Sequence, residues 1–475
     1  MAAPDQPPRT SASNSVRLAR LWEALIPVGA LIVMIYVSVV QLEAYAHLAL
    51  LLAAAVASGV GLRIGHTWKS IEEGMVEGIA VGLKAILILL VIGILIATWI
   101  QSGIVPLLIY HGLNLLSPSI FLAATCLICS VVSVATGSSW TTAGTVGVAL
   151  IGVGQGLGMP LPMVAGAIIS GAYFGDKLSP LSDTTNLAPA VAGSELFEHV
   201  RYMLHTTVPG LVIAVVLYVA LGIGRGGSAT LESVQVLREA LAAAFNLHPV
   251  LLLPPLLVIV MVVFKLPALP ALLGGALLGA GLAAGFQGNG LKEIVSVAFD
   301  GYVSETGNAA VDELLSRGGL MSMMNTVALI VCALGFGGVM ERTGQLAALA
   351  NAVLKLARNT GSLVATTVFT CFGMNVLAPD QYLSIVVPGR MYREAYDRAG
   401  LEPRLLSRTL EDAGTLSSPL IGWNTCGAFM STTLGVSALA YAPYAFLNLA
   451  CPIIAIVLAT AGWGIVRKEK GQARS

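Results

Sequence analysis

Gly171-Ala-Tyr-Phe-Gly-Asp-Lys-Leu-Ser-Pro-Leu-Ser-Asp-Thr-Thr-Asn-Leu-Ala-Pro189 decides how the rest of the chain is read. Apolar sequence flanks it without a long polar spacer, yet it carries Asp176, Lys177, Ser179, Ser182, Asp183, Thr184, Thr185 and Asn186. An ionisable residue in hydrocarbon costs about 2.5–3.5 kcal/mol on insertion scales, so such a cluster points to function. Pro180 has no N–H, which frees the carbonyl of Asp176 from its helical partner. A helix broken in this way offers carboxylates, hydroxyls and a bare carbonyl to a small hard cation. An ordinary polar loop between two spans is the competing reading, and the apolar flanks argue against it.

The surrounding composition sets that stretch in a membrane. Of 475 residues, 56% are hydrophobic and 11% charged, and the mean hydropathy is +0.85. Soluble domains carry about 25% charged residues. The chain therefore reads as an all-α polytopic membrane protein. The 25 basic and 25 acidic residues cancel, which leaves nucleic-acid binding without an electrostatic footing. Cys126-Leu-Ile-Cys129 has a redox spacing but lies in a lipid-like helix, where cysteines act as small hydrophobes. Gly222-x-Gly224-x-x-Gly227 follows a membrane helix rather than a strand and is set aside.

Taken in order, residues 1–23 form a cytoplasmic tail, 24–224 a first membrane repeat, and 225–248 a polar linker. A second membrane repeat covers 249–466 and a cytoplasmic tail covers 467–475. Spans are expected near 24–41, 47–62, 78–101, 205–223, 249–264, 268–286, 320–341 and 444–466. Residues 119–159 and 361–389 are apolar but interrupted, and each reads as a re-entrant hairpin. Residues 161–190 and 411–425 read as the two broken helices. The halves share landmarks: Trp99-Ile-Gln-Ser-Gly103 matches Met340-Glu-Arg-Thr-Gly344, and Ser179-Pro-Leu181 matches Ser418-Pro-Leu420. Basic residues at both ends put both termini in the cytoplasm and demand an even number of crossings. Five spans per repeat give ten, with the uncharged hairpin entered from outside and the basic one from inside. Such an inverted repeat with broken helices is the architecture of an alternating-access transporter.

The run Gly175-Asp-Lys-Leu-Ser-Pro-Leu-Ser-Asp-Thr-Thr-Asn-Leu-Ala188 closely resembles the signature of NhaC-type sodium/proton antiporters, in the ion-transporter superfamily. Gly137-Ser-Ser-Trp-Thr-Thr-Ala-Gly-Thr145 and Trp423-Asn-Thr-Cys-Gly427 are similar to that family's motifs too. The resemblance implies exchange of sodium, or lithium, for protons across a bacterial inner membrane. The family also holds sodium-linked exchangers of malate and lactate, so it leaves the cargo open. It implies no cofactor, with sodium as a substrate, and it admits a homodimer.

Antiport needs one site that cannot hold both ions at once. A desolvated carboxylate binds protons near neutral pH, while sodium stabilises its ionised form. Asp183, at the start of the resumed helix, is the first candidate for that carboxylate and for sodium contact. Ser179, Thr184, Thr185 and Asn186 supply oxygens. Asp176 either shares the work or pairs with Lys177. The hairpin tips, with Ser138, Ser139 and Thr141 in one copy and Asn375 and Asp380 in the other, would close the site from opposite sides. For Asp380 a helix N-cap is the competing role. Ser418, Asn424 and Thr425 sit at the second break, where Gly422 stands in the place of Asp183. Glu411 and Asp412 read as first-turn acids of the second broken helix. A sodium- or proton-coupled carrier of a small organic anion or amino acid is the alternative, with Lys177 and Arg390 as its cations. A membrane enzyme would need a catalytic constellation, and none stands out.

Overall fold

A computed structural model describes residues 16–42, 44–224 and 231–468 of the chain. Arg9, Lys470, Arg474 and the first six residues of the expected linker lie outside the described residues. The described chain is helical throughout, and its one β-bridge joins Leu401 to Arg467.

The first half runs through α1 (Leu21–Ile35), α2 (His47–Arg63), α3 (Trp68–Val81), α4 (Leu83–Gln101) and α5 (Ile104–Leu115). It continues with α6 (Pro118–Thr136), α7 (Ser139–Thr142), α8 (Val148–Gly156), α9 (Leu161–Leu178), α10 (Asp183–Ala192) and α11 (Leu196–Gly224). Then come α12 (Leu231–Ala244), α13 (Leu253–Val263), α14 (Ala268–Gln287), α15 (Leu291–Asp300), α16 (Ala309–Leu315), α17 (Met324–Arg342) and α18 (Gln345–Leu354). The chain ends with α19 (Thr360–Leu377), α20 (Gln381–Arg398), α21 (Pro403–Leu410), α22 (Thr425–Leu434), α23 (Ala438–Tyr441) and α24 (Phe446–Ala461). Starts at Leu83, Ile104, Pro118, Leu161 and Asp183 recur 241 or 242 positions later, at Met324, Gln345, Thr360, Pro403 and Thr425 (324 − 83 = 241; 425 − 183 = 242). The order of elements is thus repeated as well as their spacing.

Among the described residues, seven helices are long and apolar enough to cross a membrane, or up to nine if two bent pairs each count as one span. Ten spans were expected from the sequence. Two of the seven, α6 and α19, were expected as arms of re-entrant hairpins but are long and apolar enough to cross, whereas α2, with 17 residues, falls short. The stretch 78–101 is also not one span, because Gly82 separates α3 from α4. The polar interval before residue 248 contains α12, which buries Leu237 and Leu241. Exposed apolar side chains such as Val33, Leu87, Val131, Val216 and Ile453 give the outside an apolar surface suited to lipid.

The contact that positions the centre is between α6 and α9. Gly171 and Gly175, one helical turn apart, turn one face of α9 onto α6. A Cβ on Gly171 would sit 2.2 Å from the Cys126 carbonyl, and one on Gly175 2.1 Å from the Val134 nitrogen. Ser133 hydrogen-bonds the Ala172 carbonyl across the seam. Small residues at this spacing let helix backbones approach closely. The approach sets Asp176 beside the tip that follows α6. Gly175→Val would force the two backbones apart. The expected result is a lower melting temperature in detergent and loss of transport, whereas Gly373→Ala, with open space around it, leaves both near wild type.

Candidate functional site

The chain breaks helically at two places in each half, and at each break a side chain caps the new helix. Ser138 accepts from the Thr141 N–H at 3.1 Å, and Ser182 from the Thr185 N–H at 3.5 Å. Asp380 accepts from the Tyr382 and Leu383 N–H groups at 2.8 and 3.1 Å, and Asn424 from the Cys426 N–H at 3.0 Å. Ser138 and Asp380 stand 242 positions apart (380 − 138), as do Ser182 and Asn424 (424 − 182). Asp380 therefore takes the N-cap role weighed for it, and that role does not remove it from the site. Residues from all four starts line one cavity of about 570 Å³: Ser138 and Ser139, Ser182 to Thr184, Asp380 to Tyr382, and Thr425 and Cys426.

Two buried carboxylates line this cavity, Asp380 as a helix cap and Asp176, 7% exposed, which caps none. One Asp176 oxygen accepts from Ser139 at 2.6 Å and the other from Ser182 at 2.7 Å. Thr184 approaches Ser182 at 3.2 Å. Asp183 has a different setting. Its side chain is 58% exposed and pairs with Lys84 at 2.7 Å, and Tyr382 donates to it at 3.3 Å. Burial thus falls on Asp176, while Asp183 stands at the mouth.

The remaining sequence candidates brace the breaks. The Asp176 carbonyl freed by Pro180 accepts from Thr185 Oγ1 at 2.9 Å, as does the Lys177 carbonyl. Asn186 donates to the carbonyls of Pro180 and Ser182 at 2.8 and 2.7 Å. Ser179 lies 3.4 Å from the Leu181 N–H, and Thr141 donates to Ser138 at 3.1 Å. In the second half Asn375 donates to Ser417 and to the Gly414 carbonyl, and accepts from Asn424 at 2.9 Å. Ser418 and Cys426 both donate to the side-chain oxygen Oε1 of Gln381, 3.1 and 2.8 Å away.

Asp176 and Lys177 do not pair. Successive residues point to different sides of a helix. Lys177 instead reaches Asp412 in the other half, with both side chains fully buried. Thr206 donates to the same Asp412 oxygen at 2.8 Å, and Arg408 lies 3.4 Å from the other. The reading of Glu411 and Asp412 as first-turn acids is also overturned. Pro403 opens α21, so both acids lie further along the helical run, in a π-helical stretch (Glu411–Thr415) inside the protein. Glu411 is fully buried, and among the described residues no side chain or backbone group hydrogen-bonds either carboxyl oxygen. Lys84 and Lys265, which line the cavity, were missed. Lys84 sits in the first turn of an apolar helix, a position that reads as an interfacial anchor.

A multi-pass helical membrane protein whose helix starts converge on a polar, carboxylate-bearing cavity is the class these features define. The chain belongs to the Na+/H+ antiporter family, whose model matches residues 171–463. It is 41% identical over 448 residues to the Na(+)/H(+) antiporter NhaC of Alkalihalophilus pseudofirmus, covering 94% of this chain and 96% of that one. It is 40% identical over 450 residues to the Malate-2H(+)/Na(+)-lactate antiporter of Bacillus subtilis, covering 94% and 96%. To the Arginine/ornithine antiporter ArcD of Halobacterium salinarum it is 39% identical over 452 residues, covering 94% and 93%. The family is one of transporters, which fits the NhaC resemblance in the broken-helix motif.

The buried pair yields a stability test. Lys177→Met leaves Asp412 in the interior with Arg408 as its one cationic partner among the described residues. Removing one member of a buried pair costs about 3–5 kcal/mol. A marked fall in melting temperature is expected, with a far smaller one for Lys84→Met, because the exposed Lys84 pair is worth only about 0–1 kcal/mol.

Proposed function

We propose that this protein exchanges sodium, or lithium, for protons by alternating access, with Asp176 as the carboxylate for which the two ions compete. The observation that carries the proposal is Asp176 itself, buried at the cavity wall with one hydroxyl on each oxygen. Ser139 and Ser182 come from two different breaks. A sodium ion at Asp176 would therefore draw on the tip of the hairpin and on the broken helix together. When the two elements separate, the oxygen set is dismantled and the ion is released. A proton on Asp176 requires no such set, so the empty return is open to the protonated form. Asp183, held by Lys84, guards the mouth.

The matched caps and the repeated helix starts support a two-copy arrangement, which we take as inverted, with hairpin tips meeting from opposite faces. Localisation in a bacterial inner membrane and a homodimeric state belong to the same proposal.

A second reading is favoured by the cavity's size and its lysines. About 570 Å³ is far more than one sodium ion needs and falls in the usual range of small-molecule sites. Lys84 and Lys265 could hold a carboxylate, and the relatives named for malate, lactate and arginine exchange fit a sodium- or proton-coupled carrier of small organic ions.

Vesicles carrying a pH-sensitive dye separate the two. Sodium alone should release protons in the first reading; a requirement for malate, lactate or an amino acid supports the second. Asp176→Asn keeps the shape and removes the charge, so sodium-driven proton movement should vanish. Asp183→Asn should leave it reduced but measurable. The reverse ranking would return the ion-binding role to Asp183.

A further inference from the structure

A second cavity, of about 510 Å³, is lined in part by Asp300, Tyr302, Ser316, Arg317, Ser322 and Thr432. The same two helices border both cavities. α4 gives Ile88 to the first and Ile96 to the second, while α22 gives Cys426 to the first and Thr432 to the second. At 1.5 Å per residue these intervals are about 12 and about 9 Å. Two helices thus measure one thin partition independently, and both run from the first cavity towards the second.

What fills the partition is apolar. Ile92 and Phe429 lie within those intervals and are fully buried. Phe429 stacks on Trp140, with ring centroids 4.0 Å apart and planes 8° from parallel. A Cβ on Gly144 would meet Ile92 at 3.0 Å, so the layer is tightly filled. Trp140 belongs to the first half's hairpin tip and Phe429 to the second half's broken helix. The two halves therefore close the partition jointly. At one end the first cavity reaches the turn at Lys265, beside the start of α14. The second lies against Gly301–Val303 and Ser316–Gly318, near the far part of α4.

We propose that the second cavity is the vestibule through which the transported cation reaches Asp176 from the opposite membrane face, with the Trp140–Phe429 stack and Ile92 as the barrier between the two. The proposal rests on the alternating-access reading above. Its lining carries one acid and one base, Asp300 and Arg317, along with several hydroxyls. That balance holds water and lets a hydrated ion pass without trapping it, whereas the apolar layer offers a dehydrating ion no ligand. A shift of the hairpin tip that parts Trp140 from Phe429 would open the second route as the Ser139 contact to Asp176 is lost.

The test is sidedness. Lys265→Cys and Ser322→Cys are made singly, and a membrane-impermeant thiol reagent is applied to right-side-out and to inside-out vesicles. Labelling is read as the increment over the parent, in which five of the six cysteines are buried. Lys265→Cys should label from one face and Ser322→Cys from the other. Labelling of both from the same face, or none at Ser322→Cys from either, overturns the vestibule. A second measurement addresses the barrier. Phe429→Ala should pass sodium down its gradient about tenfold faster without exchange, a barrier change of about 1.4 kcal/mol. An unchanged leak removes the stack from the pathway. Labelling requires no transport, so a parent that moves no protons with sodium would sink the exchange reading alone.

Discussion

A helix that starts inside a membrane protein presents N–H groups that need partners, and this constraint orders the centre of the molecule. Broken helices are tolerated at membrane depth only where the backbone lines a cavity or finds side-chain partners. Here both conditions hold at the same positions. Ser138, Ser182, Asp380 and Asn424 cap the starts, and the starts line one cavity. The carbonyl freed by Pro180 is likewise taken up, by Thr185. The polar residues of the break thus divide into those that repair the backbone and those left over. Asp176 and Ser139 belong to the second group.

The same division governs the charges. Asp176 and Lys177 are adjacent in sequence and serve opposite sides of α9. One faces the cavity, and the other ties the first half's broken helix to the second's through Asp412. A buried ion pair of this kind is poor evidence of net stability, since desolvation offsets much of the attraction. With Thr206 and Arg408 around it, the pair joins the two broken helices where α9 packs beside the π-helical stretch that carries Glu411.

The sequence made the breaks legible because proline, glycine and clustered hydroxyls are local signals. The second half's equivalents were found by the Ser-Pro-Leu triplet, and the helix starts keep nearly the same spacing. What it could not assign was direction. Asp183 follows the break as expected, but whether a side chain faces a cavity or its mouth depends on α4 and α20, far away in sequence. Lys84 was invisible for the same reason, since its partner Asp183 lies 99 positions on. Asp412 was misread because its charge looked like a first-turn acid, whereas Pro403 begins the helix well before it.

The cavity's mixed character follows from how its helix starts are capped. Each N-terminus brings partial positive charge to the cavity wall, which by itself favours an anion. Ser138, Ser182 and Asn424 satisfy N–H groups without adding charge, while Asp380 caps with a carboxylate and reverses the sign at its own start. Asp176 adds a second carboxylate between the two first-half starts. In the proposed reading, the cation site is therefore the part of the cavity where carboxylates outweigh helix ends. Lys84 and Lys265 keep the mouth positive, and Asp183 partly neutralises it through a pair exposed enough to exchange partners. In that reading, a single scaffold would carry sodium at its depth and meet an organic carboxylate at its entrance. Changing which side chains cap the four starts would shift the balance without altering the fold.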